Sequence, residues 1–378
     1  MRKLMMVAPY FPPHLEGMGV FAKNIGKNLK EMYDWEVVVV TSNHEQPHEY
    51  KEEKMDGMKI YRLPRWFKLS NTPINPLWYF QIKKIIKKEN PIIIYGHTPV
   101  PFMADMALLA KGDKPMIVSY HVGSLYKERN FIFNLIIFFY KNIFERISLN
   151  KADVVLPVSS YVKNFLPKEV KSKTIVLSNS INKKDIVKKE WKNKANKLVF
   201  IGSLNKTHSW KGLDEIIFAI GKYNKKFEEK IRLDIVGDGD YLDHYKELVK
   251  EEKIWDKVKF LGIKYGREKN NIIRESSIVI TYPRTSNDAF PTVILEAWAN
   301  GTILMTSNIG PAPFIVKNNI NGIIVKGNST NDLVEQIKKI INNKKLQHKI
   351  IRNGIKNANK LTWEIQTSKL NEIIEKLI

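Results

Sequence analysis

The sequence lacks several features that mark other classes of protein. It has no cysteine among its 378 residues, which excludes disulfide bonds and thiolate metal sites. The apolar run Met5–Ala8 is too short for a secretion signal and is followed by Pro9, so it is typical of a first β-strand. There is also no internal sequence repeat. We therefore expect a globular protein, with the cytoplasm as its compartment.

Acidic residues are scarce relative to basic ones. The chain has 39 Asp and Glu against 62 Lys and Arg, a formal net charge of +23. The excess is spread along the chain, since residues 1–185 hold 28 basic and 17 acidic residues. Two explanations stay open, a generally lysine-rich surface or attraction to an anionic membrane. No zinc-finger or RNA-recognition signature is present, so we expect no nucleic acid partner.

Chain length and hydrophobic pattern indicate two α/β domains. A chain of 378 residues exceeds the size at which one core usually splits in two. Short apolar runs alternate with amphipathic stretches, which is typical of parallel sheets with ligands at the carboxyl ends of the strands. The predicted strands are Leu4–Ala8, Val37–Thr41, Met58–Leu63, Ile92–Tyr95, Met116–Tyr120, Val154–Val158, Thr174–Leu177, Leu198–Ile201, Arg232–Val236, Val258–Leu261, Ile278–Thr281, Ile303–Thr306 and Gly322–Val325.

An acidic pair frames an apolar segment in the last third of the chain. Residues 288–301 read D-A-F-P-T-V-I-L-E-A-W-A-N-G, which predicts a loop, a helix from near Pro291 and a stop at Gly301. The N-terminus of a helix offers free N–H groups and a positive dipole end to a phosphate. Asp288 and Glu296 are suited to accept hydrogen bonds from sugar hydroxyls. The segment predicts a nucleotide-sugar site, and a plain helix with solvated acids is the alternative.

The same segment resembles the signature of glycosyltransferase family 4, the retaining GT-B enzymes also described as glycosyl transferases group 1. Their pattern is E-G-F-G-x-x-x-x-E-A-x-A-x-G; Glu296, Ala297, Ala299 and Gly301 match, and Asp288 stands for the first Glu. The resemblance implies two Rossmann-like domains facing each other across a cleft. It also implies a nucleotide-diphosphate sugar as donor, and neither a metal nor another cofactor.

The polar and basic stretch 183–197 is the expected linker between the two domains. By resemblance, residues 1–182 form the acceptor-binding domain and residues 198–360 the domain that binds the nucleotide sugar. The last amphipathic stretch, 361–378, is expected to form a helix that packs back on the first domain.

Two turns agree with the family at the places where the donor phosphates would lie. Residues 9–21 resemble an F-P-P-x-x-G-G-x-G opening, in which Gly17 and Gly19 match and Glu16 takes the place of the first glycine. Residues 199–213 resemble a strand followed by G-R-L-x-x-x-K-G, in which Lys211 matches and Ser203 replaces the Arg that helps to neutralise the diphosphate. Lys206 and His208 are the two candidates for the missing positive charge.

Two histidines end neighbouring predicted strands of the first half. His121 follows the strand 116–120, where the family carries a histidine near the donor sugar and the acceptor, and His97 ends the strand before it. The resemblance implies catalytic roles for His121, Lys211 and Asp288, and acceptor-side roles for His97 and His121. It implies donor contacts for Gly17, Gly19, Ser203, Lys206, His208, Lys211, Gly237, Asp288, Ala289, Phe290, Pro291 and Glu296.

Residues 130–147, N-F-I-F-N-L-I-I-F-F-Y-K-N-I-F-E-R-I, are unusually apolar and aromatic but too short to span a bilayer. They predict either a buried helix of the first domain or, together with Arg65–Lys68 and the basic run Lys83–Lys88, a face that lies on a membrane.

The resemblance as a whole implies a retaining, metal-independent glycosyltransferase that acts on a glycan or lipid-linked acceptor. The alternative is a nucleotide-binding or membrane-surface protein of the same fold without turnover, which the substitutions at Ser203 and Asp288 favour.

Overall fold

The computed structural model describes residues 2–14, 17–69, 72–126, 131–188 and 196–378. The chain divides into two compact units, Met1–Asn179 together with Trp363–Ile378, and Ser180–Thr362. Each unit has its own parallel sheet and its own hydrophobic core. Within the stretch 183–197, which the sequence predicts to be a linker, residues 189–195 lie outside the described residues.

Unit 1 is built on a sheet with the strand order β3-β4-β2-β1-β7-β8-β9. Its strands, with the separate hairpin β5–β6, are β1 (Lys3–Val7), β2 (Glu36–Ser42), β3 (Lys51–Met55), β4 (Met58–Leu63), β5 (Phe67–Leu69), β6 (Thr72–Ile74), β7 (Ile93–Thr98), β8 (Met116–Tyr120) and β9 (Val154–Pro157). The pairs in this sheet are parallel except for β3 with β4. Leu4 of the central strand pairs with Val37 on one side and with Ile93 on the other. Such strands are buried on both faces, which explains their unbroken apolar runs.

The helices of unit 1 cover this sheet. They are α1 (Gly17–Tyr33), α2 (Trp78–Glu89), α3 (Met103–Ala110), α4 (Phe131–Phe139), α5 (Arg146–Lys151) and α6 (Ser160–Lys163). A π-helical turn, Tyr140–Glu145, joins α4 to α5 without a break. Among the described residues, no helix is both long enough and apolar enough to cross a bilayer.

Unit 2 has a fully parallel sheet in the order β12-β11-β10-β13-β14-β15. Its strands are β10 (Lys197–Ile201), β11 (Arg232–Val236), β12 (Val258–Phe260), β13 (Ile278–Ile280), β14 (Ile303–Ser307) and β15 (Ile323–Val325). Its helices are α7 (Leu213–Lys226), α8 (Leu242–Glu251), α9 (Gly266–Glu275), α10 (Thr292–Ala299), α11 (Ala312–Ile315), α12 (Thr330–Ile341) and α13 (Lys344–Ala358). The strand order reverses between β10 and β13, and a parallel sheet opens its ligand crevice at such a point.

The last helix, α14 (Trp363–Glu375), belongs to unit 1 rather than to unit 2. It packs against α1, where the rings of Phe21 and Trp363 meet edge to face at 5.4 Å. The indole N–H of Trp35 donates to Asn371 Oδ1 at 2.8 Å. The helix α14 is therefore part of the packing of unit 1.

The structure corrects the predicted strands in two ways. Thr174–Leu177 is not a strand, because this extended stretch makes only an isolated bridge from Thr174 to Val155. The prediction also omits β3, β5 and β6. The strand β3 reads K-E-E-K-M and lies exposed at the sheet edge, so it has no apolar run from which a strand could be predicted.

Candidate active site

The loop before α10 has Asp288 folded back on its own backbone. The amide of Phe290 donates to Asp288 Oδ1 at 3.2 Å, and the amide of Ala289 also bonds this carboxylate. Burial raises the pKa of Asp288, while Lys211 and the two amides act in the opposite direction. Ala289 and Phe290 are themselves buried. The Asp288 carboxylate therefore accepts hydrogen bonds within its own loop, directly before α10.

Lys211 is held at the other side of the same crevice by a tight turn after β10. The turn ends at Gly212, which has φ +75°; a Cβ there would lie 1.9 Å from the carbonyl oxygen of Tyr282, so only glycine fits. The amide of Tyr282 donates to the Lys211 carbonyl at 3.2 Å, which ties this turn to the loop after β13. Burial lowers the pKa of the Lys211 ammonium, opposed by the nearby Asp288 carboxylate.

Both loops open into one cavity of about 220 Å³ in unit 2. Its polar lining includes the side chains of Lys211, Lys269, Asp288 and Glu296, and the first turn of α10 contributes Thr292. The floor and walls are largely apolar and are formed by Phe200, Ile201, Gly202, Trp210, Pro283, Pro291, Val293, Ile309, Pro311 and Ala312. The N-terminus of α10 and a lysine thus face the same space as two carboxylates.

Comparison with known proteins identifies this arrangement. The sequence model "Glycosyltransferase Family 4" matches residues 15–184, and "Glycosyl transferases group 1" matches residues 182–357. The chain is a glycosyltransferase of this family. Its fold is therefore GT-B, with two Rossmann-like domains.

Relatives of this glycosyltransferase match it along almost its entire length. An uncharacterised glycosyltransferase of Methanocaldococcus jannaschii is 27% identical, with 100% of this chain and 99% of the relative covered. A glycosyltransferase structure from Rickettsia africae superposes with a TM-score of 0.76 at 18% identity, over 100% of this chain and 98% of the other. The Anabaena protein HepE in complex with UDP gives a TM-score of 0.73 at 17% identity, over 99% and 100% of the two chains.

Four residues that the sequence assigns to the donor are not part of this cavity lining, and their donor roles stay predictions. Within the described part of the chain, the cavity lining does not include Ser203, Lys206, His208 or Gly237. The Ser203 hydroxyl accepts from the amide of Asn205 at 3.3 Å, inside its own turn. Lys206 directs its ammonium over the ring of Tyr241, 6.0 Å from the centroid. His208 lies beside Thr207, with 3.5 Å between Nδ1 and Oγ1.

The backbone geometry at position 237 requires a glycine whether or not a donor binds there. Its φ is +151°, and a Cβ would lie 1.9 Å from the carbonyl oxygen of Gly202, so the two loops after β10 and β11 can approach only at a glycine. Its amide donates to the Gly262 carbonyl at 3.0 Å.

The charged residue of the described cavity lining that sequence reasoning missed is Lys269. It projects from α9, and its ammonium lies 3.0 Å from Glu296 Oε1. Among the described residues, Lys211 and Lys269 are the lysines that line this cavity. No motif marks Lys269 in a chain with so many lysines, and only the packing of α9 beside α10 brings it to the site.

In unit 1 the two histidines come together as the sequence predicts. His97 is the penultimate residue of β7, His121 directly follows β8, and 2.9 Å separates His97 Nδ1 from His121 Nε2. His97 is fully buried, and its Nε2 has no hydrogen-bond partner among the described residues. Burial lowers the pKa of both rings, that of His121 to about 3, so both are neutral at physiological pH. Phe21 of α1 packs edge-on against both rings.

The glycine turn lies at the start of α1, the helix whose Phe21 packs against these histidines. Gly17 is the first residue of the helix, and a Cβ on Gly19 would meet the Tyr10 carbonyl oxygen at 3.1 Å. Glu16, which replaces the first glycine of the family pattern, lies outside the described residues.

Proposed function

We propose that this glycosyltransferase moves a sugar from a nucleotide-diphosphate sugar to a hydroxyl of a glycan or a lipid-linked acceptor. The observation that carries the proposal is the unit 2 cavity, where Lys211, the N-terminus of α10 and two carboxylates face one space. The relative HepE, solved with UDP, supports a nucleotide donor. Retention of anomeric configuration and independence of metal are inferred from the family.

Each group of the cavity suits one part of such a donor. Lys211 and the free amides of α10 attract the diphosphate. Glu296 accepts hydrogen bonds from the ribose hydroxyls, and Asp288 accepts them from the sugar. Asp288 already accepts from the amides of Ala289 and Phe290, and we expect its remaining acceptor capacity to serve the sugar hydroxyls.

The transfer itself exchanges one bond for another at the anomeric carbon. Its bond to the diphosphate oxygen breaks, a bond to the acceptor oxygen forms, and the acceptor proton leaves to the departing diphosphate. Lys211 stabilises the charge that develops on the diphosphate, and such preorganised groups often contribute about 10²–10³ in rate. His121 and His97 belong to the acceptor side, in the unit that the family uses for acceptors. We place this reaction in the cytoplasm, at the membrane face where the acceptor carries a lipid.

The first experiment is a thermal-stabilisation screen of the full chain with UDP-, GDP- and ADP-sugars. The stabilising donor is then used in turnover assays with and without EDTA, and the anomeric configuration of the product is read by NMR. We expect transfer or slow donor hydrolysis, a retained configuration and no loss with EDTA. An inverted product or loss of activity with EDTA would refute that part of the proposal.

The alternative, a binding protein without turnover, draws its support from Ser203, which supplies no charge to the cavity. Comparing the full chain with Lys211→Met separates the two. In an enzyme, the variant loses most turnover and keeps its fold. A protein that is stabilised by a nucleotide sugar, yet neither transfers nor hydrolyses it, fits the alternative instead.

A further inference from the structure

The helical stretch from α4 to α5 in unit 1, residues 131–151, carries its apolar side chains on the outside. The exposed fraction is 80% for Phe131 and 44% for Ile136. The exposed apolar side chains of this segment are Phe131, Ile132, Leu135, Ile136, Phe138, Phe139, Ile143, Phe144 and Ile147. A surface helix of a globular protein normally shows the reverse arrangement, with its apolar stripe facing the core.

The inner face of the same segment buries Ile137 and Leu149 and also carries polar side chains that are held by buried hydrogen bonds. The Tyr140 hydroxyl donates to Asp105 Oδ2 at 2.9 Å, and the Ser148 hydroxyl bonds the same carboxylate. Tyr120, at the end of β8, donates to Glu145 Oε1 at 2.7 Å. Tyr140 and Glu145 open and close the π-helical turn. These contacts fix which side of the segment faces unit 1, so the apolar side is held towards the outside.

The outer face offers few groups with which a protein partner could form hydrogen bonds. Among the exposed residues of the turn, Asn142 donates its side-chain amide to the Phe138 carbonyl within the helix. Lys141 is turned towards Glu145, at 3.6 Å. Specific protein interfaces carry about one hydrogen bond per 100–200 Å². A face of phenylalanine, isoleucine and leucine side chains without such groups suits the acyl region of a lipid leaflet better than a polar-rimmed interface.

Basic residues are frequent on the elements that neighbour the apolar segment. From 146 to 173, the stretch that holds α5 and the turn packed against it, the chain has six basic and two acidic residues. On the other side, α2 packs against α3, which packs against α5, and α2 presents exposed Lys83, Lys84, Lys87 and Lys88. Charges of this sign, set around an uncharged apolar strip, complement anionic lipid headgroups.

We propose that the 131–151 segment lies flat in the surface of an anionic membrane, with its apolar face in the acyl region and its lysine-rich neighbours at the headgroups. The inference goes beyond sugar transfer, because binding requires neither donor nor acceptor. Failure of transfer activity would leave it intact, and failure of membrane binding would leave the donor site intact.

The test is co-sedimentation of the full chain with vesicles of neutral phosphatidylcholine or of phosphatidylcholine with phosphatidylglycerol. The variant Ile132→Asn/Ile136→Asn/Phe139→Asn removes one stripe of the apolar face at i, i+4 and i+7. Phe218→Asn/Trp255→Asn/Ile320→Asn is the matched control, because these unit 2 side chains are similarly exposed. Lys83→Glu/Lys84→Glu/Lys87→Glu measures the part due to charge. Circular dichroism checks that each variant is folded.

We expect the wild type and the unit 2 control to bind anionic vesicles alike, and the apolar variant to lose at least about tenfold in partitioning. The charge variant should lose the salt-sensitive part and keep a weaker, salt-insensitive one. Binding that survives in the apolar variant would overturn the proposal in favour of surface charge alone. A wild type that ignores vesicles but sediments as a dimer, and becomes a monomer in the apolar variant, would show that a second copy covers this face.

Discussion

At the scale of single residues, the two lysines that line the described cavity of unit 2 have different neighbours. Lys211 faces the α10 N-terminus and Asp288, whereas Lys269 is paired with Glu296. A hydrogen bond to a charged group contributes about 1.5–3 kcal/mol, which corresponds to tenfold or more in affinity. The two lysines should therefore affect different parts of a bound nucleotide.

We predict that Lys269→Met weakens binding of the nucleoside and of its diphosphate by the same factor, about tenfold, because Glu296 loses the partner that orients it towards the ribose. Lys211→Met should weaken only the diphosphate. Lys338→Met is the control, since that side chain lies over the ring of Phe227, 4.7 Å from the centroid, and outside the cavity. Calorimetric titration measures all three variants. Unchanged nucleoside affinity in Lys269→Met would show that this lysine does not act through Glu296.

The histidine pair of unit 1 allows a prediction about a single proton. If His97 Nδ1–H donates to His121 Nε2, the buried Nε2 of His97 keeps a bare lone pair, whereas the opposite arrangement buries an N–H without an acceptor. Orphaned buried N–H groups are the rarer case. We therefore expect His121 to carry its proton on Nδ1 and to present it as a donor to a substrate hydroxyl.

Nitrogen-15 shifts of the imidazole rings measure this directly in the full chain. His121 should show the Nδ1–H tautomer in the wild type and lose that preference in His97→Leu, while the shifts of His348 in unit 2 stay unchanged. A wild-type His121 that is protonated on Nε2 would contradict the assignment.

A sequence motif can place a residue at the cavity only when the elements that position it are local in sequence. Two strand–loop–helix patterns, each local in sequence, hold the predicted residues that line the cavity. The first carries Lys211, and the second carries Asp288, Pro291 and Glu296. Lys269 comes from a separate helix, and its place depends on how α9 packs, which no local pattern encodes. Roles in binding or catalysis stay predictions for all of these residues.

At the scale of elements, apolar runs predicted most central strands, because a strand buried on both faces must be apolar throughout. The 131–151 segment shows the limit of this argument. Its composition predicts a helix or an interfacial face, but periodicity alone does not say which side meets water. Only the positions of Asp105 and Tyr120, far away in sequence, decide that the polar side faces inwards.

The stability that Glu145 contributes to the 131–151 segment should depend on pH. Burial raises the pKa of Glu145 above its ordinary value of 4.5, so its contribution to stability is present while it is protonated and is lost as the pH rises through the folded pKa. Glu145→Gln keeps a group that accepts from Tyr120 and cannot ionise. We expect the variant to gain thermal stability relative to the wild type as the pH is raised from 5 to 8.

Thermal midpoints of both proteins at each pH provide the measurement. Glu169→Gln is the matched control, because this exposed carboxylate pairs with Arg146 on the outside of α5. A difference between Glu145→Gln and the wild type that stays constant from pH 5 to 8 would show that the carboxyl does not titrate in this window.

At the scale of the whole molecule, the chain leaves unit 1 at residue 179 and returns to it at residue 363. The returning helix α14 buries Trp363, Leu370, Ile373 and Ile374. Each such side chain contributes about 1.5–3 kcal/mol when fully buried, and a domain is stable by only about 5–15 kcal/mol in total. Unit 1 therefore depends on the last residues of the chain, and unit 2 does not.

We predict that a chain ending at Thr362 loses the cooperative unfolding of unit 1 and keeps that of unit 2. The donor nucleotide identifies the surviving transition, since a ligand raises the midpoint of the unit that binds it. Trp35→Phe in the full chain is the milder control: it removes the hydrogen bond to Asn371 and part of a buried ring, and should lower the unit 1 transition without abolishing it. If the shortened chain unfolds with both transitions at their original midpoints, α14 is dispensable and unit 1 is stable without it.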